Sequence, residues 1–402
     1  MVTIGLIGKT NVGKTTFFNA ATLLEAEIST YPFTTKKPNE GVAYVHFHCV
    51  CKEFKVKDNP VNSTCINGWR FAPVKIVDIP GLIKEAWRGR GLGIRFLSVA
   101  AVSDALIHVV DASGSIDEEG RIVKPGIGDP VRDFRDVERE LVQWYYQLLK
   151  KNSKHIAKLY KQTTRLDLAI SRLLAGIKIT LEDAQAALIE SELLDKDFAK
   201  WNDDDFRVMA YNLRKKKPTL IVANKMDLPY ADENYEALTR EYSDYIVIPC
   251  SAEAELALRR AEKSGLVEYV PGEEMFFVKD KDRLTKKQRW ALEYVQEKIL
   301  SKYFRTGVQY ALDVAVFKLL SMNAIFPVAD EKNLTDSKGR VLPDVYLMPP
   351  GSTLYDLAAA IHSELAKSLV CGIDARMGLR LPKNYLLRHR DVIKLVVALK
   401  RK

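Results

Sequence analysis

The sequence predicts an α/β fold followed by a small α+β module. Three observations carry that expectation. Short apolar runs recur, each ending in a polar loop, as strands of an open α/β sheet do at their ligand-binding edge. Residues 114–217 interrupt the series with apolar residues at helical spacing. The last hundred residues change pattern again, to strands plus one helix.

The chain has 402 residues, enough for two or three domains and a large core. Its 47% hydrophobic and 28% charged residues are those of a globular protein, which argues against a disordered chain. No apolar run reaches membrane-spanning length, and Met1-Val2-Thr3-Ile4-Gly5 already reads as strand, leaving no room for a signal peptide. A cytoplasmic protein without membrane contact is expected, a monomer by default. The net charge of +9 suits a partner with a phosphate backbone such as RNA, without establishing one. Five cysteines, an odd number without a secretory signal, argue against a disulfide framework.

The first strand, Val2 to Ile7, runs into Gly8-Lys9-Thr10-Asn11-Val12-Gly13-Lys14-Thr15, which is G-x-x-x-x-G-K-T between a strand and a helix. Gly8 and Gly13 let the loop close so that backbone N–H groups wrap phosphate oxygens, and the helix from about Gly13 points its positive end at the same anion. Phosphate contacts are expected from Asn11, Val12, Gly13, Lys14, Thr15 and Thr16. Lys14 reaches the β- and γ-phosphates, and the Thr15 hydroxyl ligates Mg²⁺. That helix ends before Tyr31-Pro32-Phe33-Thr34-Thr35, which proline keeps from being helical. Thr35 (or Thr34) is expected to close on the metal when the γ-phosphate is present. Gly41 to Phe47 is a strand, and Lys52 to Asn67 a polar excursion. Val74 to Val77 leads into Asp78-Ile79-Pro80-Gly81, a D-x-x-G turn in which Asp78 holds Mg²⁺ through water and the Gly81 N–H bonds the γ-phosphate.

Ala105 to Val110 is a further buried strand, and Thr219 to Ala223 another, ending in Asn224-Lys225-Met226-Asp227. N-K-x-D at a strand end reads guanine. The Asp227 carboxylate can accept from guanine N1–H and N2–H₂, and adenine offers no such pair, so ATP would leave it unpaired. After Ile246 to Ile248 comes Cys250-Ser251-Ala252, where Ser251 and the Ala252 N–H complete the guanine pocket. Any one of these turns is common; five in this order are not.

Within 114–217, helices are expected over Phe134–Lys150, Leu159–Leu174, Leu181–Leu194 and Phe206–Leu213, with basic outer faces at Lys150-Lys151 and Arg214 to Lys217 that are ordinarily just solvated. A helix over Lys286–Leu300 leads to the C-terminal unit: a strand-like run Val341–Met348, a helix opening at Thr353-x-x-Asp356 and running to about Leu369, and a strand Val392–Val397. The expected division is 1–113 and 218–300 for the nucleotide domain, 114–217 for the helical insertion, and 305–402 for a ubiquitin-like module.

Tyr31-Pro32-Phe33-Thr34-Thr35, Asp78-Ile79-Pro80-Gly81-Leu82 and Gly89-x-Gly91-Leu92-Gly93 resemble the Obg-related GTPases. The inserted helices and the pattern Pro350-Gly351-Ser352-Thr353-x-x-Asp356-x-Ala358 with Arg390-Asp391-Val392-Ile393 resemble the YchF-like branch with its C-terminal TGS domain. The resemblance spans nearly the whole chain. It implies a P-loop GTPase domain and association with ribosomes or rRNA. YchF proper resembles an ATPase with a degenerate base-recognition motif; the intact Asn224-Lys225-Met226-Asp227 implies GTP.

Leu82 stands where small GTPases place the Gln that orients the attacking water, so intrinsic hydrolysis is expected to be slow, on the order of 10⁻⁴–10⁻² s⁻¹. Lys14, Thr35 and Gly81 are the expected catalytic groups. Asn11 matches the Asn that binds K⁺ in some GTPases lacking the Gln, though capping of the loop explains it equally well. Cys49, Cys51 and Cys65, with Asp58, His46 or His48, could hold Zn²⁺, but C-x-C-x₁₃-C is a weak pattern and reduced thiols in a loop are favoured. The readings that compete are a GTP hydrolase working as a switch, a ribosome-bound factor whose affinity nucleotide merely sets, an RNA-binding adaptor, and an ATPase like YchF proper. The first, acting in the service of the second, is the expectation.

Overall fold

The computed structural model describes residues 1–22, 40–79 and 99–398. Thr34, Thr35, Gly81, Leu82 and the run Gly89–Gly93 lie outside the described residues.

The nucleotide domain is a seven-stranded sheet. Its strands are β1 (Thr3–Ile7), β2 (Glu40–His48), β3 (Thr64–Ile66), β4 (Trp69–Asp78), β5 (Ala105–Asp111), β6 (Thr219–Asn224) and β7 (Val247–Pro249), in spatial order β2-β4-β1-β5-β6-β7 with β3 also on β4. β4, β1, β5, β6 and β7 are parallel, in a register that sets Leu6 beside Asp78, Asp111 beside Asn224 and Ala223 beside Pro249. All five C-terminal ends therefore open on one edge. β5 and β6 are buried along their whole length, as parallel strands covered on both faces must be.

The expected strands and the first helix, α1 (Lys14–Thr22), stand where the sequence indicates. β4 is longer than expected because its first half pairs with both β2 and β3, around the tight turn Asn67-Gly68, both at positive φ. In the insertion, residues 114–128 are not helical. They fold into an irregular hairpin tied by the Ile116–Ile122 bridge and by Gly126 and Gly128 N–H groups bonded to the Ser113 and Gly114 carbonyls. Helices begin at Pro130, capped by Asp129: Pro130–Lys151, Ser153–Thr163, Leu166–Leu174, Leu181–Glu190 and Asp203–Lys215. The expected single helix over Leu159–Leu174 is two, because Thr164 turns left-handed at φ 57°. Pro130–Lys151 and Asp203–Lys215 share one apolar core with Ile7, Val77 and Leu106 of the sheet, and the other three helices stack outside them. A short hairpin, β8 (Val267–Tyr269) and β9 (Phe276–Val278), precedes the helix Lys286–Val295.

The C-terminal sheet has five strands: β10 (Asn323–Val328), β11 (Tyr346–Met348), β12 (Leu369–Asp374), β13 (Arg380–Leu381) and β14 (Val392–Val397). β11 is only the end of the expected run from Val341. The Thr353/Asp356 capping box forms as expected, but its helix stops at Ile361, where His362 is extended, and Ser363–Ser368 is a separate short helix. The helix Val308–Asp313, continued over Val314–Leu319, packs into the nucleotide-domain core, and Asp313 accepts from His46 N–H at 2.7 Å. The chain thus returns to the first sheet before building the second.

Candidate nucleotide site

The phosphate loop spans β1 and α1. Gly8 (φ 141°) and Gly13 (φ 97°) hold conformations closed to other residues without strain. A Cβ on Gly8 would lie 2.3 Å from the Val109 carbonyl oxygen, and one on Gly13 would lie 2.3 Å from Asn224 Nδ2. The first intrahelical bond of α1 runs from Phe17 N–H to Gly13 C=O at 2.9 Å, so the N–H groups of its first turn, Thr16 included, are unused by the helix. Val12 is buried beneath the loop. The Lys14 ammonium lies across the loop, donating to the Gly8 and Lys9 carbonyls at 3.1 and 2.5 Å. Burial lowers its pKa to about 8, against the pull of Asp78.

Thr15 Oγ donates to Asp78 Oδ2 at 2.7 Å, so the two expected Mg²⁺ ligands meet. Asp78 Oδ1 is buried with no hydrogen-bond partner among the described residues, and burial raises the carboxyl's pKa. A hydroxyl beside a carboxylate with an unsatisfied oxygen is a donor set for a hard cation. Residues 23–39 and 80–98, where the remaining expected ligands fall, are not described.

The hairpin after β5 crosses the phosphate loop. Thr10 Oγ and Asn11 Nδ2 both donate to the Gly120 carbonyl, at 3.2 and 2.9 Å, and Lys9 Nζ is paired with Asp133 at 2.5 Å. Sequence reasoning missed this brace. Its signal is the run of glycines at 114, 120, 126 and 128, the first three at positive φ.

At the other end lie β6 and β7. Asn224 is buried and uses both ends of its amide: Nδ2 donates to the Val12 carbonyl at 2.8 Å, and Oδ1 accepts from Ala252 N–H at 3.0 Å. It ties the phosphate loop to the loop after β7. Lys225, at φ 65°, donates to Asp111 Oδ2 at 2.8 Å and Ser115 Oγ at 3.1 Å. Asp111 is buried and also accepts from Ser113 and Ser115, an anchor that the sequence places at a strand end without revealing its partner. Half-buried Asp227 accepts from Ser251 Oγ at 2.7 Å, while Ser251 also caps the helix Ala252–Lys263. The five expected residues lie together, but the Ala252 N–H, expected to meet the base, is spent on Asn224 Oδ1.

A phosphate cradle and a fixed carboxylate share one edge of a parallel sheet, the arrangement of a nucleotide site. Comparison with known proteins gives the same reading. Three family models match: "50S ribosome-binding GTPase" over residues 3–129, "Obg-like GTPase YGR210-like, G4 motif-containing domain" over 222–330, and "TGS domain" over 332–397. A GTP-binding protein of Methanocaldococcus jannaschii is 43% identical over 401 residues, the whole of both chains. The chain belongs to the Obg-related GTPases, on the YchF-like branch. The crystal structure of a GTP-binding protein from Pyrococcus horikoshii OT3 superposes with a TM-score of 0.77 at 37% identity, covering 99% of this chain and 100% of that one. The protein named ribosome-binding ATPase YchF of Bacillus subtilis is 30% identical over 275 residues, 65% of this chain and 69% of that one. As an Obg-related GTP-binding protein, this chain has the P-loop GTPase domain and C-terminal TGS domain that its motifs indicate. Among the described residues no helix is long and apolar enough to cross a membrane.

Proposed function

We propose that this protein binds GTP in preference to ATP and hydrolyses it slowly to GDP and phosphate, as a switch acting on ribosomes or RNA. The observation that carries the base preference is Asp227, held in place by Ser251 Oγ at 2.7 Å, with Lys225 anchored beside it on Asp111. Guanine offers that carboxylate two N–H groups, and adenine would leave it unmatched. Asn224 serves this pocket as the brace between its two loops.

Thr15 and Asp78, the latter through water, would hold Mg²⁺ together with Thr35; the ion supplies neutralisation of charge at the β- and γ-phosphates. Lys14 binds the same phosphates, and Gly81 contributes an N–H. Asn11 directs Nδ2 to Gly120, which leaves its Oδ1 as the atom for a K⁺ ion. Ribosome association is supported by the bacterial relative's name and by the ribosome-binding GTPase family that matches residues 3–129.

The test is phosphate release by the purified protein from GTP and from ATP, in K⁺ and in Na⁺, with and without ribosomes. GTP turnover that ribosomes stimulate, with ATP inert, is expected. Equal use of ATP would overturn the role given to Asp227, and equal rates in K⁺ and Na⁺ would remove the K⁺ site.

A further inference from the structure

The excursion between β2 and β4 holds a cluster far from the nucleotide chemistry. Cys49 follows β2 and caps the short helix Val50–Glu53, Cys51 lies in that helix, Asp58 is in the following loop and Cys65 is on β3. One ligating atom from each lies within 4.8 Å of every other. Cys51 Sγ and Cys65 Sγ are 3.8 Å apart, and Cys49 Sγ is 3.3 Å from Asp58 Oδ2.

Those spacings fit a tetrahedron. Zinc–sulfur distances of about 2.3 Å set sulfur–sulfur edges of about 3.8 Å, whereas a disulfide needs about 2.0 Å. Cys51 N–H also points at Cys49 Sγ, at 3.5 Å, as an N–H stabilising a thiolate does. Cys49 and Cys51 are buried. The spacing of the cysteines is a weak signal because Asp58 and Cys65 reach the others only through the pairing of β3 with β4. Three sulfurs and one carboxylate favour zinc over magnesium or calcium.

Buried Arg70 supplies the outer shell. Directly across from Cys65 in the β3–β4 register, it pairs with Asp58 Oδ2 at 3.0 Å and donates to Ser63 Oγ and the Leu342 carbonyl, each at 2.9 Å. Three thiolates and a carboxylate around Zn²⁺ carry two net negative charges, and the guanidinium offsets one. The same excursion seats the TGS domain: Asn59 and Val61 N–H groups bond the Val341 and Pro343 carbonyls, Asn62 bonds Val345 both ways, and Glu53 pairs with Arg376 and Arg390.

We propose that Cys49, Cys51, Cys65 and Asp58 form a structural Zn²⁺ site that fixes the knuckle on which the TGS domain is seated. The test is elemental analysis of the full chain, purified without chelators and again after zinc reconstitution under reducing conditions, with X-ray absorption at the zinc edge. One zinc per chain is expected, with three sulfur ligands at about 2.3 Å and one oxygen at about 2.0 Å. Cys65→Ser should lose most of the metal while Cys371→Ser keeps it. Because Cys65→Ser could fail to fold, Co²⁺ loading of the unaltered protein provides the second readout: a thiolate charge-transfer band with tetrahedral d–d bands. Less than a tenth of an equivalent of zinc after reconstitution, or zinc bound without sulfur ligands, would overturn the proposal.

Discussion

At the phosphate end of the cleft the left-handed Gly8 and Gly13 set a loop of backbone amides, with the Lys14 and Thr15 side chains lying against it. At the Asp227 end side chains are fixed by other side chains: Lys225 by Asp111 and Ser115, Asp227 by Ser251. The first end depends on the backbone conformation of two glycines as well as on Lys14 and Thr15. The second depends on side-chain pairing. Asn224 bonds to both, through Val12 and Ala252.

Four outcomes would sharpen or break that contrast. The largest effect is expected from Gly13→Ala, which adds a Cβ 2.3 Å from Asn224 Nδ2 at a φ of 97°. A strain of about 3 kcal/mol or more should weaken both GTP and inorganic tripolyphosphate at least about 100-fold in fluorescence titrations. Asp227→Asn should cost GTP affinity about 100-fold while tripolyphosphate binding stays unchanged, because only the base contact is lost. Loss of tripolyphosphate affinity in that variant would break the division between the two ends. Asn224→Ala strands the buried Val12 carbonyl and Ala252 N–H, and should lower unfolding stability by about 2–3 kcal/mol in urea even without nucleotide.

The smallest effect is in pH. With no phosphate bound, Lys14 titrates at about 8. A bound polyphosphate favours the charged form and raises that pKa, so binding takes up a proton above pH 8 and affinity falls as pH rises. Between pH 8 and 9 the Kd should increase up to about fivefold, and calorimetry in buffers of differing ionisation enthalpy should register the proton uptake. Lys14→Arg should flatten the profile.

The difference between the two ends also governs what could be read from the sequence. Gly8, Gly13 and Lys14 are local: the loop's conformation is written in eight consecutive residues, so motif and geometry coincide. Asp227 and Ser251 were legible too, since each follows a short apolar run that ends at the ligand edge. What escaped depends on distant pairing. The hairpin Gly114–Gly128 carries no periodicity, and it is held by its own backbone bonds and by Gly120 meeting Thr10 and Asn11. β10 and the helix from Val308 have no counterpart among the expected elements; their apolar residues pack on other parts of the chain, the helix into the nucleotide-domain core and β10 beside β14. The split at Thr164 depends on one left-handed residue that is not glycine, which composition does not announce.

The arrangement of the inserted helices bears on how the chain reaches its native state. Lys225 and Asp111 are separated by 114 residues, yet β5 and β6 must lie side by side for them to meet. Closing so long a loop from an extended chain is entropically costly and slow. Between them, Pro130–Lys151 packs directly on Asp203–Lys215, and the intervening helices contact their neighbours in sequence. These contacts can form early and bring the two strands' flanking residues together. Zipping β6 onto β5 then becomes a local event, and the Lys225–Asp227 end of the cleft is expected to be the last part of the sheet's edge to consolidate.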